Sequence, residues 1–589
     1  MKLLRAWRIA WLTLSVGLFL LAASYQLGLP GLHYDEAKEA GVNAMELLTG
    51  APVTAFRDAT IHLGSRALPL MVQDYIGALN VYLSLPFLAI TGIGVPNLRL
   101  LPIVLAVVAL LCLERAISEW VALRRGDLTT KTSETTENRT RIGRIGRIEQ
   151  IKADYSDLYP PKSARSAQSA FYFPATAPIS LAALFTLTML VASPSFVFWN
   201  RQGIFVTNAT LAAAYLALWQ GIRWVRTRQD RALIVASLAA GTALYAKLLS
   251  IWLVGPLGLM LLIAGLRIRG EDGKKLLSIS TALKAGIAML VPLIPLLLFN
   301  VQTGGTLQSV GGNLGQSYYG VNNLAVGANL PVRLGQLVES LRGGQFWYLG
   351  GLHANVLAPW IWGGLLVGAL LTRRGRRLVI LPALLMASTV ALSLFTVSDL
   401  FITHYALLQP VTVAVGGLSL AALFEALRTS TWRRVATPAA VGVLALWLVL
   451  DVTATVGYHR ELTRSGGLAD HADAGYHLAY HLQYNGMGAP IVLDWGMDAP
   501  VRFLSRGTVR PIEIFGYDSP AAPDDAFAAR LRPFLEDSRN VYLLRAPEQT
   551  VFQGRREIFL AECARLGKTA EMVASLHSGT ALPCSRSGA

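Results

Sequence analysis

The chain has 589 residues, of which 53% are hydrophobic and only 15% are charged, whereas a soluble domain carries about 25% charged residues. Its formal net charge is +16, but Lys and Arg cluster in short runs at alternate ends of long apolar segments, as the positive-inside rule describes. These features exclude a soluble globular enzyme and a nucleic-acid partner, and they predict a polytopic α-helical membrane protein.

The first apolar segment covers about residues 8–28 and follows three basic residues. The run is long and its cleavage signal is faint, so we expect a retained membrane anchor with a cytoplasmic N-terminus. The residues that follow the anchor then lie on the extracytoplasmic side. We expect residues 29–96 to form an outer juxtamembrane loop, with helices lying in the membrane interface over 38–95.

The segment 97–120 is the second predicted span, because it leads into a basic loop that the charge rule assigns to the cytoplasm. That loop, 121–175, is polar and rich in Arg, and we expect a disordered cytoplasmic insert. It could attract anionic lipid headgroups or be only a solvated insert. Nine further spans bring the predicted total to eleven: about 177–199, 204–222, 232–247, 250–266, 283–300, 355–371, 378–396, 405–424 and 435–455.

The outer loop 301–354 is rich in Gly, Asn, Gln and Ser and ends in the aromatic stretch Gln345-Phe-Trp-Tyr-Leu-Gly350. Loops of this length are usually functional or disordered. The aromatic residues argue against pure disorder. We therefore expect a flexible lid over a membrane-facing site.

The transmembrane domain is predicted to cover residues 1–456, and residues 457–589 differ in character. Short β-like runs alternate there with helical patterns, which is typical of a small α/β domain. The last span returns outside, so this domain is expected to be extracytoplasmic. Cys563 and Cys584 could then form a disulfide or remain two unrelated thiols. The predicted strands are 491–494, 511–515 and 541–544, and the predicted helices are 470–485, 523–536 and 555–566.

Polar side chains gather at the outer ends of the predicted spans, where ionisable groups are costly and tend to mark ligand pathways. Carboxylates suit a general base or a hard metal, and Arg and Lys suit phosphate, so the set predicts a phosphorylated lipid that reacts at the outer surface. Alternatively, Arg201 and Lys247 could extend to lipid headgroups, and Glu36 could simply be solvated. The set comprises His33, Tyr34, Asp35, Glu36, Arg66, Asp74, Arg201, Lys247, Asp399, His404 and Tyr405.

Five short motifs follow one another along residues 1–425, all on the predicted outer face. They are Tyr34-Asp35-Glu36-Ala37, the segment from Leu68-Pro69 to Pro102, Ala192-Ser-Pro-Ser-Phe196 with Arg201, Ala243-Leu-Tyr-Ala-Lys247, and His404-Tyr405 to Pro410. In this order they resemble the GT-C superfamily of polyprenyl-phosphate-sugar glycosyltransferases, in the branch of the protein O-mannosyltransferases and the lipid A aminoarabinose transferase.

The resemblance implies an inverting transfer of a sugar from a polyprenyl phosphate at the extracytoplasmic face. Asp35 matches the motif's Asp, and it would deprotonate the acceptor hydroxyl. A divalent metal could assist the phosphate leaving group. The substrate-binding residues would be Tyr34, Arg66, Arg201, Lys247 and Tyr405, and the metal ligands would be Glu36, Asp74 and His404.

The chain departs from the family pattern at several of these positions. No carboxylate follows Arg201, where many members carry one, and Asn208 would be a weaker substitute. Asp74 could supply the missing carboxylate. His404 stands where Arg is common, and Arg66 stands where many members have Lys. The metal and the donor sugar therefore stay open.

A lipid or polysaccharide transporter or flippase is the alternative outside the enzymes, and a lytic or ligase activity on lipid-linked glycans is a third possibility. Transporters place polar residues near the bilayer midplane and often contain inverted repeats. Here the polar residues gather at one end, which favours an enzyme. We expect an integral protein of a bacterial plasma (inner) membrane whose partners are membrane lipid, a polyprenyl-phosphate sugar and an acceptor lipid, glycan or protein.

Overall fold

The computed structural model describes residues 2–141, 179–203, 208–269, 273, 275–517 and 519–576. Seven of the described helices are long and apolar enough to cross a membrane, or eight if one bent helix pair forms a single span. The helices of this bundle are Lys2–Ser24, Leu100–Arg141, Leu181–Leu190, Pro194–Gln202, Ala209–Thr227, Asp230–Ala246, Ile251–Arg267, Ile279–Leu290, Ile294–Thr303, Ala358–Leu371, Arg373–Leu392, Gln409–Arg428 and Arg433–Ser465.

Each predicted span coincides with a helix or a helix pair, and the apolar helices confirm an integral membrane protein. Three predicted spans fall on helices that are not among the long apolar ones, namely Ala209–Thr227, Asp230–Ala246 and Ala358–Leu371. The total of eleven spans and the orientation of the bundle therefore stay predictions.

Local sequence signals explain where several bundle helices begin. The Ser180 hydroxyl accepts the Ala183 N–H at 3.1 Å, and the Thr372 hydroxyl accepts the Gly375 N–H at 2.9 Å, which satisfies N–H groups left free at a helix start. Pro194 begins the second half of the bent pair, whose axis turns by 72°. Pro lacks the N–H that would continue the preceding helix.

Two glycines mark places where bundle helices lie very close together. A Cβ at Gly241 would stand 2.1 Å from the carbonyl oxygen of Met289, and a Cβ at Gly417 would stand 2.8 Å from the backbone nitrogen of Thr186. Small residues of this kind let helix backbones approach each other in membranes.

The segment after the first helix is folded, and its strands were not predicted. Residues 60–77 form two antiparallel hairpins instead of helix; the first turns at Gly64, where φ is +62°, a conformation that favours glycine. The expectation of interfacial helices over 38–95 was wrong for this part. The elements are helices Tyr34–Glu36, Ala37–Gly41, Val42–Thr49, Phe56–Asp58, Leu79–Thr91 and Val95–Leu98, and the strand pairs Thr60–Leu63 with Arg66–Pro69 and Met71–Gln73 with Ile76–Gly77.

The structure describes the predicted loop 301–354 but only part of the predicted insert 121–175. Most of the insert 121–175 lies outside the described residues, and its described part continues the helix Leu100–Arg141. The loop 301–354 contains more regular structure than its composition indicated, since it holds the helices Gly305–Gly312 and Val326–Arg342 and the short turn Trp347–Leu349. Its movement as a lid stays a prediction.

The C-terminal part contains a three-stranded parallel sheet. The strand Ile491–Val492 lies between the other two, and all three strands fall where they were predicted. The predicted boundary after residue 456 lies within the helix Arg433–Ser465, which is followed by Gly466. Cys584 lies outside the described residues, so its pairing with Cys563 stays a prediction. The elements are strands Ile491–Val492, Ile512–Glu513 and Tyr542–Leu543, and helices Ala469–His471, Ala474–Tyr484, Asp498–Leu504, Phe527–Leu535, Pro547–Gln549 and Arg555–Arg565.

The C-terminal part packs on the segment that carries Asp35. Arg502 forms an ion pair with buried Glu46 at 2.7 Å, and the neighbouring ring of Phe503 lies where a Cβ on Gly41 would meet it at 3.0 Å. The helix Asp498–Leu504, which was not predicted, makes both contacts. These contacts hold the segment that carries Asp35 against the C-terminal part.

Candidate active site

Asp35 lies in a short helix that follows the first bundle helix. The ring nitrogen Nδ1 of His33 accepts the Asp35 N–H at 3.2 Å, and the His33 N–H donates to the Glu36 carboxylate at 3.3 Å. This capping box fixes the backbone on both sides of Asp35. The Asp35 carboxylate is half-buried, and within the described chain it forms no hydrogen bond or ion pair. The oxygens of a carboxylate held in this way can accept a proton, as a general base requires.

Glu36 is held by Arg99. The Arg99 Nε and Nη2 atoms donate to the two Glu36 oxygens at 2.5 and 2.9 Å, and both side chains are buried. Arg99 also donates to carbonyl oxygens within residues 27–31. The pair therefore ties the Asp35 turn to the end of the first helix, and the predicted role of Glu36 as a metal ligand does not fit these contacts.

Glu39 and Lys247 form a buried ion pair beside Asp35. The Lys247 Nζ lies 3.7 Å from Glu39 Oε1, and Glu39 Oε2 is buried without a hydrogen-bond partner among the described residues. Burial raises the pKa of Glu39 to about 7, the Lys247 charge opposes this rise, and the Asp35 carboxylate adds to it. The charges of Asp35 and Lys247 therefore both influence the protonation of Glu39.

His404 is under the influence of both Lys247 and Arg333. Burial lowers the pKa of His404 well below its usual value, and the charges of Lys247 and Arg333 lower it further. The imidazole is therefore neutral near pH 7. Its ring packs at 5.7 Å from the ring of Trp252. A neutral ring between two cations can accept or donate a hydrogen bond without adding to their repulsion.

Arg333 is fully buried, and one of its donors is unused. Its Nε donates to the Ser393 carbonyl at 2.8 Å and its Nη1 to Gln336 at 2.9 Å. The guanidinium lies over the rings of Trp252 and Tyr405, at 5.2 and 5.7 Å. Its Nη2 has no acceptor in the part of the chain that the structure describes. A buried cation with an unused donor suits an anionic ligand.

Aromatic side chains accompany these charged groups. The Asp35 charge adds to the effect of burial in raising the pKa values of Tyr75 and Tyr319. The Tyr319 ring contacts Phe401 at 5.7 Å, and Phe401 contacts His404 at 5.8 Å. We call the set of electrostatically coupled side chains Asp35, Glu39, Lys247, Arg333 and His404 the polar chamber.

The structure places Arg201 outside this chamber. It is fully buried, and its Nη2 donates to the carbonyl oxygens of Gln26 and Leu29 at 2.8 and 3.1 Å. Its Nη1 lies 3.3 Å from His459 Nδ1. Arg201 therefore holds carbonyl oxygens of the turn that follows the first helix, and substrate binding by Arg201 stays a prediction.

Three further predicted residues also lie outside the polar chamber. The hydroxyl of Tyr34 accepts a hydrogen bond from Lys38 at 2.8 Å and lies 3.3 Å from the hydroxyl of Tyr517. Arg66 is exposed on the first hairpin. Asp74 binds the exposed Arg57 at 2.9 Å. Of the predicted substrate-binding residues, Lys247 lies in the chamber and Tyr405 supports it through Arg333.

The predicted metal ligands do not come together. Glu36 binds Arg99, Asp74 binds Arg57, and His404 faces Lys247 and Arg333. Among the described residues, no group of three or more His, Cys, Asp or Glu side chains could hold a metal ion. The three predicted ligands therefore do not form one site in this structure, and the divalent metal that the resemblance left possible stays a prediction.

Three residues of the site were missed in the sequence. Glu39 stands one helical turn after Asp35, and that spacing could have indicated it. Arg99 lies within one of the five motifs, but nothing local showed that it pairs with Glu36. Arg333 lies in the helix Val326–Arg342, inside the segment that was predicted as a loop.

The chain is similar in fold to a solved membrane protein. No protein-family model matches the chain, and no curated protein matches its sequence. The crystal structure of ArnT from Cupriavidus metallidurans bound to undecaprenyl phosphate is similar, with 13% identity and a TM-score of 0.50 over 91% of this chain and 89% of that chain. The apo state of ArnT aligns over the same shares with 13% identity and a TM-score of 0.48. The membrane fold of this chain is therefore similar to that of ArnT.

Proposed function

We propose that this protein is an integral-membrane inverting glycosyltransferase that moves a sugar from a polyprenyl phosphate to an acceptor hydroxyl. One observation carries the proposal: the Asp35 carboxylate, free of partners among the described residues, shares the polar chamber with the buried cations Lys247 and Arg333. The fold shared with ArnT, whose structure is bound to undecaprenyl phosphate, supports a polyprenyl phosphate as the donor.

The chamber residues take complementary parts in this reaction. Asp35 accepts the proton of the acceptor hydroxyl, and the oxygen attacks C1 of the sugar from the side opposite the phosphate. The bond between C1 and the phosphate oxygen breaks, so that the polyprenyl phosphate leaves with additional negative charge. Lys247 Nζ and Arg333 Nη2 stabilise that charge, because both are cationic donors in a water-poor site. The proton ends on the Asp35 carboxyl group.

Glu39 holds Lys247 in place until the donor binds. The Lys247 ammonium is buried, and a buried charge requires a partner. The Glu39 carboxylate supplies that partner, and the donor phosphate competes for the same ammonium. Glu39 is thus a positioning residue for the leaving-group site.

Replacing Lys247 with Met should lower kcat/KM for the donor roughly 10- to 100-fold, because a hydrogen bond to a charged group contributes about 1.5–3 kcal/mol. The measurement is the initial rate of polyprenyl phosphate release at several donor concentrations. Lys275→Met is the matched control, since Lys275 is exposed and its loss should leave the rate unchanged. An equal rate in wild type and Lys247→Met would remove Lys247 from the leaving-group site.

The raised pKa of Glu39 predicts that the stability of the protein depends on pH. Burial raises its pKa to about 7, above the usual value of about 4.3. The stabilisation from this group is therefore fully present below about pH 4.3 and is lost as the pH rises through 7. Glu39→Gln should flatten the fall of the thermal unfolding midpoint between about pH 5 and pH 8. Parallel midpoint curves for the two proteins would contradict this.

Chelation should have little effect on turnover. The chamber supplies its positive charge through Lys247 and Arg333, and the predicted metal ligands lie apart. We expect the rate in EDTA to stay within about twofold of the rate with added Mg²⁺ or Mn²⁺, which is under about 0.5 kcal/mol of transition-state stabilisation. Loss of activity in EDTA that a divalent ion restores would show that a metal site is missing from this account.

The proposal is tested with the full chain in lipid nanodiscs. It is incubated with a panel of polyprenyl-phosphate sugars and an envelope lipid extract, and mass spectrometry follows free polyprenyl phosphate and the glycosylated product. Product formation supports the transferase, names the sugar, and decides whether the acceptor is a lipid, a glycan or a protein. Absence of product with every donor, together with movement of lipid between vesicle leaflets, would favour the transporter instead.

The position of the chamber in the cell is part of the proposal. The basic connections of the predicted spans support an extracytoplasmic position for the chamber and the C-terminal part, in a bacterial plasma membrane. The branch with the aminoarabinose transferase and the protein O-mannosyltransferases remains the proposed relationship, and the product of the nanodisc assay distinguishes between them.

A further inference from the structure

The segment of the C-terminal part around Asp470 packs directly on the turn that leads to Asp35. The Gly31 N–H donates to the His471 carbonyl at 2.7 Å. A Cβ at Gly31 would lie 2.0 Å from the carbonyl oxygen of Ala472. The backbones of the two segments are therefore in direct contact a few residues before the proposed general base.

Aromatic rings hold the His33 side chain between these two segments. His33 is buried, and its ring stacks on the ring of His471 with the centroids 4.4 Å apart and the planes inclined by 19°. His471 stacks in turn on Tyr348, at 3.8 Å and 14°. The Trp495 ring meets His33 in a T-shaped contact at 5.9 Å. These contacts fix the plane of the imidazole and thereby the direction of its two nitrogens.

One nitrogen of this ring binds the backbone of Asp35. His33 Nδ1 accepts the Asp35 N–H at 3.2 Å, and a ring nitrogen can accept a hydrogen bond only when it carries no proton. The proton of the neutral ring is therefore on Nε2. A ring with its proton on Nδ1 would lose this hydrogen bond, and the turn that carries Asp35 would lose its N-cap.

The other nitrogen faces Asp470. His33 Nε2 lies 3.8 Å from Asp470 Oδ2, a distance at which the attraction is electrostatic. Arg545 Nη1 lies 3.6 Å from Asp470 Oδ1. Burial opposes the ionisation of Asp470, but the His33 side chain and the Arg545 charge outweigh it and hold the pKa of Asp470 below its usual value. A carboxylate beside Nε2 stabilises the ring form that carries its proton there.

We propose that Asp470 is a positioning residue for the general base Asp35, because its charge holds the proton of His33 on Nε2 and so keeps Nδ1 as the acceptor of the Asp35 N–H. The catalytic consequence rests on the proposed function. The proposal makes the C-terminal part a component of the active site. If that part only packed against the turn, the charge of Asp470 would have no effect on the reaction.

The first test removes the charge and keeps the size of the side chain. Asp470→Asn should lower kcat for sugar transfer roughly 10-fold, because a small displacement of a reacting group is costly. KM for the donor should stay within about twofold, because donor binding depends on Lys247 and Arg333. Asp470→Glu retains the charge and should recover most of the rate. Asp525→Asn is the matched control at an exposed carboxylate of the C-terminal part, and it should change neither constant.

A second substitution separates this role from simple packing. His33→Asn supplies a side-chain oxygen for the Asp35 N–H, since Asn is among the best N-cap residues, and its amide has no ring proton for Asp470 to direct. Asp470→Asn should therefore cause no further loss of kcat in the His33→Asn protein. A loss of the same size in both proteins would overturn the proposal.

Hydrogen exchange tests the same link without the reaction. In Asp470→Asn, the peptide that carries His33 and Asp35 should exchange about one amide faster than in wild type, and His33→Asn should abolish this difference. Unchanged exchange would overturn the link between Asp470 and Asp35. Faster exchange in a protein that transfers no sugar would support the link and refute the proposed function.

If Asp470→Asn does not fold, ¹⁵N NMR of the wild-type protein with labelled histidine decides. The His33 signals are those that disappear in His33→Asn. At about pH 8.5, above the usual histidine pKa of about 6.5, they should show a proton on Nε2 and none on Nδ1. A proton on Nδ1 would overturn the proposal.

Discussion

Replacing Asp35 with Asn is expected to lower kcat for sugar transfer by about 10²- to 10⁴-fold, the usual contribution of a positioned general base. The amide keeps the size of the side chain but cannot accept the hydroxyl proton. The capping hydrogen bonds around residue 35 use the backbone and the neighbouring side chains, so the fold should survive. Donor binding should also survive, because it depends on Lys247 and Arg333.

The measurement separates these two effects. Single-turnover rates report the chemical step, and the quenching of intrinsic fluorescence by the donor reports its Kd. Asp58→Asn is the matched control, since Asp58 is an exposed residue of the same segment. Transfer in Asp35→Asn at more than a tenth of the wild-type rate would assign the base to another group, and Glu39→Gln would then be compared at the same pH.

The second large effect concerns stability. Replacing Arg99 with Met should lower the free energy of unfolding by about 3–5 kcal/mol, because it leaves the Glu36 carboxylate buried without its partner. Arg99 also binds carbonyl oxygens between residues 27 and 31, so the turn before Asp35 should loosen and activity should fall with stability. Denaturant titration of the purified protein measures the change.

A double variant tests the cause. Glu36→Gln combined with Arg99→Met removes the uncompensated charge, and it should be more stable than Arg99→Met alone. Arg57→Met is the control, because Arg57 pairs with Asp74 near the surface and such pairs contribute about 0–1 kcal/mol. If Arg99→Met unfolds at the wild-type denaturant concentration, the buried pair does not hold the Asp35 turn.

The sequence predicted the features that depend on local pattern. Long apolar runs become helices because membrane-length apolar segments satisfy their backbone hydrogen bonds internally. The short runs at 491–494, 511–515 and 541–544 contain the three strands of the parallel sheet. Asp35 was recognised because its motif follows directly after the first apolar segment.

Features that depend on distant contacts could not be predicted. Arg99 and Arg201 are both cations at the same end of the bundle, and only the fold shows that one binds Glu36 and the other binds carbonyl oxygens of the turn after the first helix. Glu39 meets Lys247 across about two hundred residues of sequence. The hairpins at 60–77 were missed because apolar residues spaced along a short segment fit a helix as well as a strand.

The measurement that tests the central claim most directly is the anomeric configuration of the product. With Asp35 as the base in a single displacement, NMR of the product formed from a donor of known configuration should show inversion at C1. A product with retained configuration would require a covalent sugar–enzyme intermediate and would contradict the role of Asp35. No product from any polyprenyl-phosphate sugar would contradict the transferase itself.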